Sequence, residues 1–240
     1  MLTRTFENEN SDLAVQVFNS VLFFLERECI TSLDLVNAQE LGTCKHFLNQ
    51  YEWLTQSYLR RMINLGRNYA DMLHKDENLA AGIIARSIIE TLAHFHFFLN
   101  EIVRLVEAGK SAEAYQLIGS YMLGGSHDFL PSHVKIQNLR IGKSLKEANK
   151  AYPEMEKHYN WLCNFVHPNS PGTLAFTEDD YANNKINFFK KPVDLRPDVV
   201  TLLWFATFKQ EWERLVGVRT LIVDKWQSIP ASAVTEKFTA

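Results

Sequence analysis

The chain contains few of the residues that build disulfide frameworks or metal clusters. Its 240 residues include 3 cysteines, Cys29, Cys44 and Cys163, which are odd in number and far apart. No two of them form a CxxC pair, so the sequence predicts neither a disulfide scaffold nor a zinc site. Free thiols are typical of a reducing compartment, and we expect a cytoplasmic protein that needs no cofactor.

Several short catalytic motifs are also missing. The sequence has no GxSxG, no P-loop, no GxGxxG and no HExxH, which argues against the enzyme classes that these motifs serve. It has no Glu-x-x-His pair of the kind that holds two metal ions in carboxylate-bridged bundles. Any catalysis must therefore come from side chains that only the fold brings together.

Long apolar runs and strong net charge are absent as well. The N-terminal stretch carries Arg4, Glu7 and Asp12 where an export signal would need an apolar run. Polar residues such as His96 and Glu101 interrupt the most apolar segment, so we expect no membrane span. The formal net charge of -3 gives no global attraction to nucleic acid or to an anionic membrane.

What the chain does contain is helical periodicity. Hydrophobic residues make up 46% of the sequence, which is normal for a globular protein with a sizeable core. There is no internal repeat and no linker-like stretch. We therefore predict an all-α fold, a single-domain helical bundle of about seven or eight helices over residues 1–227, followed by a flexible tail at 228–240.

Apolar spacing, caps and breakers place these helices along the chain. Ser11 is the predicted N-cap of the first helix, whose apolar stripe begins at Leu13. The predicted helices cover about 12–30, 33–41, 44–74, 79–106, 111–123, 133–151, 153–166 and 197–226. Short apolar segments at 173–177 and 186–189, separated by a turn, predict a small β-hairpin.

The helix at 79–106 has no polar side. Ile88, Leu92 and Phe95 lie on one face at the spacing of a core stripe, but Ile83 and Phe97 lie on the opposite face. A helix that is apolar all round is buried by neighbours on both faces. We therefore expect this helix to be the centre of the bundle, in a hairpin with the helix before it.

Arg86, Glu90 and His94 run down one face of this buried helix at spacings of four. Such a row must be paired, solvated in a cavity, or used. In one interpretation Arg86 and Glu90 form an ion pair, and His94 is a core histidine bonded to a carbonyl. In the other, the row lines a polar cavity in which arginine holds an anionic group and glutamate orients it.

The second candidate region runs from Tyr159 to Asn169, at the end of a helix and in the loop that follows. Tyr159, Cys163 and His167 lie on one side of that helix and would point a phenol, a thiol and an imidazole at the same neighbour. Alternatively, a histidine before Pro168 simply caps the helix end. A metal site would need Glu90 and His94 together with His167 or His158 as a third ligand.

These motifs resemble a family of uncharacterised bacterial helical proteins that in turn look like relatives of the HEPN superfamily. The resemblance rests on Arg86-x-x-x-Glu90 in the central helix and on Tyr159-x-x-x-Cys163-x-x-x-His167-Pro-Asn. It implies a helical bundle, a homodimer, and a metal-independent ribonuclease or nucleotide-binding function in toxin or defence systems.

The catalytic signature of that superfamily is an arginine followed, after four to six residues, by a histidine. Arg67-Asn68 followed by His74 has this form. Asn164 and His167 match the second half, but Cys163 stands where the arginine is expected. The resemblance therefore implies that Arg86 supplies the positive charge from the central helix.

Three functional hypotheses remain from the sequence. In the first, the protein is a ribonuclease or acts on nucleotides, with Arg86, Glu90 and His167 as catalytic residues. Its substrate-binding residues are then expected to be His94, Tyr159, Asn164 and Asn169. In the second, it is a dimeric interaction or assembly module that binds a protein partner. In the third, it binds a small ligand in a cavity of the bundle.

Overall fold

The protein is an all-α helical bundle. The computed structural model describes residues 9–34, 40–123, 140–166, 177–180, 183, 185–188 and 199–229. Within them lie eight helices: α1 (Glu9–Arg27), α2 (Cys44–His74), α3 (Asn78–Glu107), α4 (Ser111–Leu123), α5 (Ile141–Ala151), α6 (Met155–Val166), α7 (Val199–Glu213) and α8 (Leu215–Lys225). No helix among these residues is both long and apolar enough to cross a membrane.

Helix α3 lies at the centre, as its sequence predicts. It packs against α2, α4, α5, α6, α7 and α8. Ile88 and Leu92 on one face are fully buried, and so are Ala93 on the other face and nearly all of Phe97. The exception is Ile83, in the first turns of the helix, which is 45% exposed.

Helices α2 and α3 form the predicted hairpin. The predicted bounds of α2, 44–74, are confirmed, and Thr43 caps its start by accepting a hydrogen bond from the backbone N–H of His46 at 3.2 Å. Asp76 in the connecting turn adopts a left-handed conformation, with φ of 60°. The short connection lays the two longest helices side by side.

The prediction for α1 was wrong at its start. The helix begins at Glu9, so Ser11 lies inside it and is not its N-cap. Leu13, expected in the apolar stripe, is 60% exposed. The helix packs on both α7 and α2, which rotates the buried face to other positions: Ala14, Val15, Phe18, Val21, Leu22 and Leu25.

Two further helix predictions need correction. Helix α5 begins only at Ile141, because Arg140 is extended, with φ of -71° and ψ of 124°; residues 124–139 lie outside the described ones. Lys143, Lys146 and Lys150 are exposed, as predicted. In the predicted helix at 33–41, residues 33 and 34 are not helical and Leu41 lies in a turn.

The C-terminal part differs from its prediction in detail. The single helix predicted at 197–226 is divided at Arg214 into α7 and α8. The predicted hairpin is present as β1 (Thr177–Asp180) paired antiparallel with β2 (Lys185–Phe188). Its first strand begins at the last residue of the predicted one, Thr177, and continues into the predicted turn, so only four residues separate the two strands. The predicted tail lies mostly outside the described residues, which end at Ile229.

We predict that Gly66→Ala destabilises the fold by about 1 to 3 kcal/mol. A Cβ at Gly66 would lie 2.6 Å from a ring carbon of Phe205, and that ring is fully buried and packed 4.8 Å from the ring of Phe18. Gly82→Ala is the matched control, because a Cβ there meets nothing within 4 Å; it should leave stability unchanged or raise it by up to about 1 kcal/mol. Denaturant unfolding of both variants checks this, and an equal effect of the two would contradict it.

Candidate functional site

The first part of the site is a cluster of Arg86, Glu90 and Tyr159. Arg86 Nε donates to Glu90 Oε1 at 3.0 Å, and Arg86 Nη2 donates to the hydroxyl of Tyr159 at 3.2 Å. Tyr159 in turn donates to Glu90 Oε1 at 2.9 Å. Helix α6 thus brings its phenol onto the polar row of α3, and the expected ion pair between Arg86 and Glu90 is confirmed.

The environment of this cluster favours a protonated phenol and a charged guanidinium. Burial and the hydrogen bond to Glu90 raise the pKa of Tyr159 to about 12. Burial alone would lower the pKa of Arg86, but the bond to Tyr159 and the charge of Glu90 outweigh it and raise that pKa. The side chains of Arg86 and Glu90 are only 23% and 27% exposed. Arg86 is therefore neutralised within the cluster.

The third member of the row, His94, has a different partner from the one expected. Its Nδ1 shares a hydrogen bond of 3.0 Å with the hydroxyl of Ser144 on α5, not with a carbonyl. Burial lowers the pKa of His94; the nearby Glu90 raises it and Arg61 lowers it. The net direction favours the neutral imidazole.

Glu90 and His94 line a cavity of about 400 Å³ between α2, α3 and α4. We call it the Arg61 cavity, after the cation in its wall. Its lining residues are Leu54, Ser57, Tyr58, Arg61, Glu90, Thr91, His94 and Tyr121. Arg61 is exposed, so the cavity reaches the protein surface. A volume of this size is in the range of sites for small molecules.

Arg61 is held in this cavity by one hydrogen bond, from its Nε to the hydroxyl of Thr91 at 3.0 Å. That hydroxyl donates to the carbonyl of Ser87 at 2.7 Å, which fixes its orientation. Among the described residues, the terminal nitrogens of Arg61 have no further partner. Of the row on α3, Glu90 and His94 line this cavity, whereas the arginine in its wall comes from α2.

The structure describes only some of the other predicted site residues. Asn164 is an exposed residue near the end of α6. His167 and Asn169 lie outside the described residues, so their relation to Arg86 stays a prediction. The other signature arginine, Arg67, pairs with Glu26 at 2.8 Å on the surface. Within the described ranges no group of three or more metal-ligating side chains occurs.

A second polar cluster lies further towards the C-terminal end of α3, and it is buried. The sequence analysis did not predict it. Glu211 of α7 is fully buried and accepts hydrogen bonds from His96 Nδ1 at 2.8 Å, from the hydroxyl of Tyr152, and from Arg214 Nη1 at 2.5 Å. Burial would raise the pKa of Glu211, but its bonds to His96 and Tyr152 and the charge of Arg214 outweigh it and lower that pKa. The carboxylate is therefore ionised inside the bundle.

The network also fixes the tautomer of His96. Arg214 Nη2 donates to Asn100 Oδ1 at 2.8 Å, so the amide nitrogen of Asn100 faces His96 Nε2, also at 2.8 Å. Nε2 must then accept, and Nδ1 carries the proton that is donated to Glu211. The four side chains form a closed ring in which each donor meets an acceptor, which suits a structural role.

One sequence signal could have located this network. Trp204, Phe208, Glu211 and Leu215 are spaced by four, three and four residues, so Glu211 occupies a core position of its helix. A carboxylate at such a position requires a buried partner. The partner itself could not be found this way, because His96 is 115 residues away in the sequence.

We predict that Glu211→Gln lowers the free energy of unfolding by about 2 kcal/mol, because the amide keeps only one acceptor oxygen and its nitrogen then faces a hydrogen-bond donor inside the bundle. Glu213→Gln is the matched control on the same helix. Glu213 pairs with Lys209 and its side chain is 51% exposed, so its loss should cost at most about 1 kcal/mol. Denaturant unfolding measures both, and a cost for Glu211→Gln no greater than that of the control would contradict the structural role of the network.

Comparison with known proteins does not assign this chain to a family. No protein-family model, no curated protein and no solved structure matches the chain. The resemblance to HEPN proteins therefore stays a prediction, and the function has to be argued from the residues of the site.

Proposed function

We propose that the protein binds a small anionic molecule of the size of a nucleotide in the Arg61 cavity. The observation that carries the proposal is the charge balance of the cavity wall. Glu90 is neutralised by Arg86 at 3.0 Å, whereas Arg61 has no acidic partner among the described residues. The cavity therefore keeps one uncompensated guanidinium, whose terminal nitrogens are free to form the paired hydrogen bonds that phosphate and carboxylate groups accept.

The other lining residues supply what a nucleotide needs besides a phosphate site. Glu90 Oε1 accepts from Arg86 and Tyr159, while its Oε2 has no hydrogen-bond partner within the described ranges. That oxygen can accept from an amino or ribose hydroxyl group. Tyr58 and Tyr121, whose ring centroids lie 6.4 Å apart, offer aromatic surface for a planar base.

The cluster of Arg86, Glu90 and Tyr159 has a supporting role in this proposal. It holds the carboxylate of Glu90 in one orientation through two hydrogen bonds on the same oxygen. Because Arg86 is itself bonded to Tyr159 of α6, the cluster also ties the cavity wall to a second helix. A fixed wall reduces the entropy that binding would otherwise cost.

We predict that Arg61→Gln weakens the binding of ribonucleoside monophosphates at least about ten-fold, because charge-assisted hydrogen bonds of this kind contribute about 1.5 to 3 kcal/mol. Isothermal titration calorimetry with the four monophosphates and with the parent nucleosides measures this, and the nucleosides should bind more weakly. Arg67→Gln, which removes a surface arginine of the same helix, is the matched control and should leave binding unchanged. Equal affinity of the wild type and Arg61→Gln, or no binding of any monophosphate, would contradict the proposal.

A second candidate is the metal-independent ribonuclease that the sequence resemblance implies. One observation favours it: Tyr159, the partner of Arg86 at 3.2 Å, belongs to α6, and α6 ends at Val166, the residue directly before His167. In this proposal the 2′-hydroxyl of RNA attacks the adjacent phosphate, and the bond to the 5′-oxygen of the next nucleotide breaks, which leaves a 2′,3′-cyclic phosphate. His167 takes the proton of the 2′-hydroxyl or gives one to the leaving 5′-oxygen, water exchanges the other proton, and Arg86 stabilises the pentacoordinate phosphorane. The homodimer implied by the same resemblance also stays a prediction.

For this candidate we predict that the wild type cleaves single-stranded RNA in the presence of a chelator and that His167→Ala abolishes cleavage. The melting temperature of the variant should stay within about 2 °C of the wild type, which separates loss of catalysis from loss of the fold. A gel assay with end-labelled RNA and thermal unfolding provide the two readouts. A wild type without activity, or a variant that cleaves as fast, would exclude the ribonuclease.

A further inference from the structure

His94 lines the Arg61 cavity together with Arg61 and Glu90. Its side chain comes from α3, whereas Arg61 comes from the neighbouring α2. Thr91, which holds Arg61 by a hydrogen bond of 3.0 Å, lies three residues before His94 on α3. Residues spaced by three lie on the same side of a helix. The imidazole therefore lies about one helical turn from the point where Arg61 is fixed.

One ring nitrogen of His94 is fixed and the other is open. Nδ1 shares a hydrogen bond of 3.0 Å with the hydroxyl of Ser144, a residue of α5 that is only 1% exposed. Nε2 has no hydrogen-bond partner among the described residues, and it is not one of the unpaired atoms that are sealed from solvent. Because His94 is a lining residue, Nε2 is the ring nitrogen that a ligand in the cavity can reach.

The bond to Ser144 allows His94 to change its protonation state. A serine hydroxyl can either donate a hydrogen bond or accept one. It can donate to Nδ1 of the neutral imidazole, or accept from Nδ1–H when the imidazole carries two protons. The imidazole keeps its position in both cases. His96 differs, since both of its ring nitrogens are used in the network around Glu211.

Two charges of opposite sign act on His94. Burial lowers its pKa, Glu90 raises it, and Arg61 lowers it. Glu90 already has a counter-charge in Arg86, at 3.0 Å. The helices around His94 otherwise present phenols and a hydroxyl: Tyr58 on α2, Tyr121 on α4, Ser144 on α5 and Tyr159 on α6. The ammonium of Lys143, also on α5, lies over the Phe97 ring at 4.8 Å from its centroid.

An anion bound at Arg61 would change this balance. It would compensate the guanidinium charge that acts against a protonated imidazole. An opposite charge within about 4 to 6 Å also stabilises the charged form of a titratable group directly. A protonated His94 can donate a charge-assisted hydrogen bond from Nε2, which is stronger than a bond between neutral groups. Anion binding and protonation of His94 therefore favour each other.

We propose that His94 is the second anion-binding group of the Arg61 cavity and that it takes up a proton from solvent when the anion binds. Nε2–H donates to the anion, and Nδ1–H donates to the hydroxyl of Ser144. Arg61 and His94 then hold the anion from two helices. This inference rests on the proposed function, because it concerns the same ligand in the same cavity.

The direction of the pH dependence follows from linkage. Because the bound anion raises the pKa of His94, the complex binds the proton more tightly than the free protein does. The gain in affinity is present below the pKa of His94 in the complex, and it is lost as the pH rises through that value. The phosphate of a nucleotide titrates near pH 6 as well, so wild type and variant are compared with the same ligand.

The first experiment counts the protons. Adenosine monophosphate is titrated into the full chain by calorimetry at about pH 7 in PIPES and in imidazole, two buffers that differ in ionisation enthalpy. The wild type should take up about half a proton more per ligand than His94→Gln, which cannot be protonated. His74→Gln is the matched control, because His74 is exposed and does not line the cavity; it should match the wild type. Equal proton counts for the wild type and His94→Gln would overturn the proposal.

The second experiment is the pH profile of affinity. At about pH 6 His94→Gln should bind adenosine monophosphate at least about five-fold more weakly than the wild type. At about pH 8.5 the two should bind alike, since the imidazole is then neutral and the glutamine amide still offers a donor. A loss of affinity that is the same at both pH values would mean that His94 acts only through the shape of the cavity, and it would overturn the proposal.

A third measurement needs no variant. The imidazole signals of His94 in the wild type are assigned by NMR through their correlation to its backbone amide and followed against pH. With adenosine monophosphate, the titration midpoint of His94 should lie at least about one pH unit higher than without it. An unchanged midpoint in a protein that binds the nucleotide overturns this inference and leaves the proposed function intact. Absence of nucleotide binding overturns both.

Discussion

The enclosure of α3 by six other helices is the constraint on which the polar chemistry of this protein depends. A helix without a solvent face cannot leave a polar side chain unpaired without a cost in free energy. Four polar residues on its buried length are each bonded to a side chain of another helix. The pairs are Glu90 with Tyr159, Thr91 with Arg61, His94 with Ser144, and His96 with Glu211.

These pairs differ in whether the groups around them leave hydrogen-bond donors or acceptors unused. The network around Glu211 forms a closed ring, in which both carboxylate oxygens of Glu211 and both ring nitrogens of His96 have partners within the protein. Around Arg61, by contrast, the terminal nitrogens of its guanidinium and Glu90 Oε2 have no hydrogen-bond partner within the described part of the chain. A binding function is therefore best sought at the second group, where unused hydrogen-bonding groups meet a cavity.

The helices and the ion pair of Arg86 with Glu90 could be predicted from the sequence, but the identity of the cavity arginine could not. The long stripe of α2 fixes its bounds because each apolar residue repeats the spacing of its neighbours. Arg86 lies in the row on α3 that the sequence singled out, yet its guanidinium is neutralised by Glu90. Arg61 on α2 looks like a solvated residue in sequence, and only the packing of α2 on α3 brings it to Thr91.

The measurement that tests this account most directly is a crystal structure of the protein grown with adenosine monophosphate. The account predicts electron density for the phosphate within about 3.2 Å of the terminal nitrogens of Arg61, with the nucleotide in the cavity beside Glu90. Density for the nucleotide at another place on the protein, or an Arg61 guanidinium turned away from a filled cavity, would contradict it.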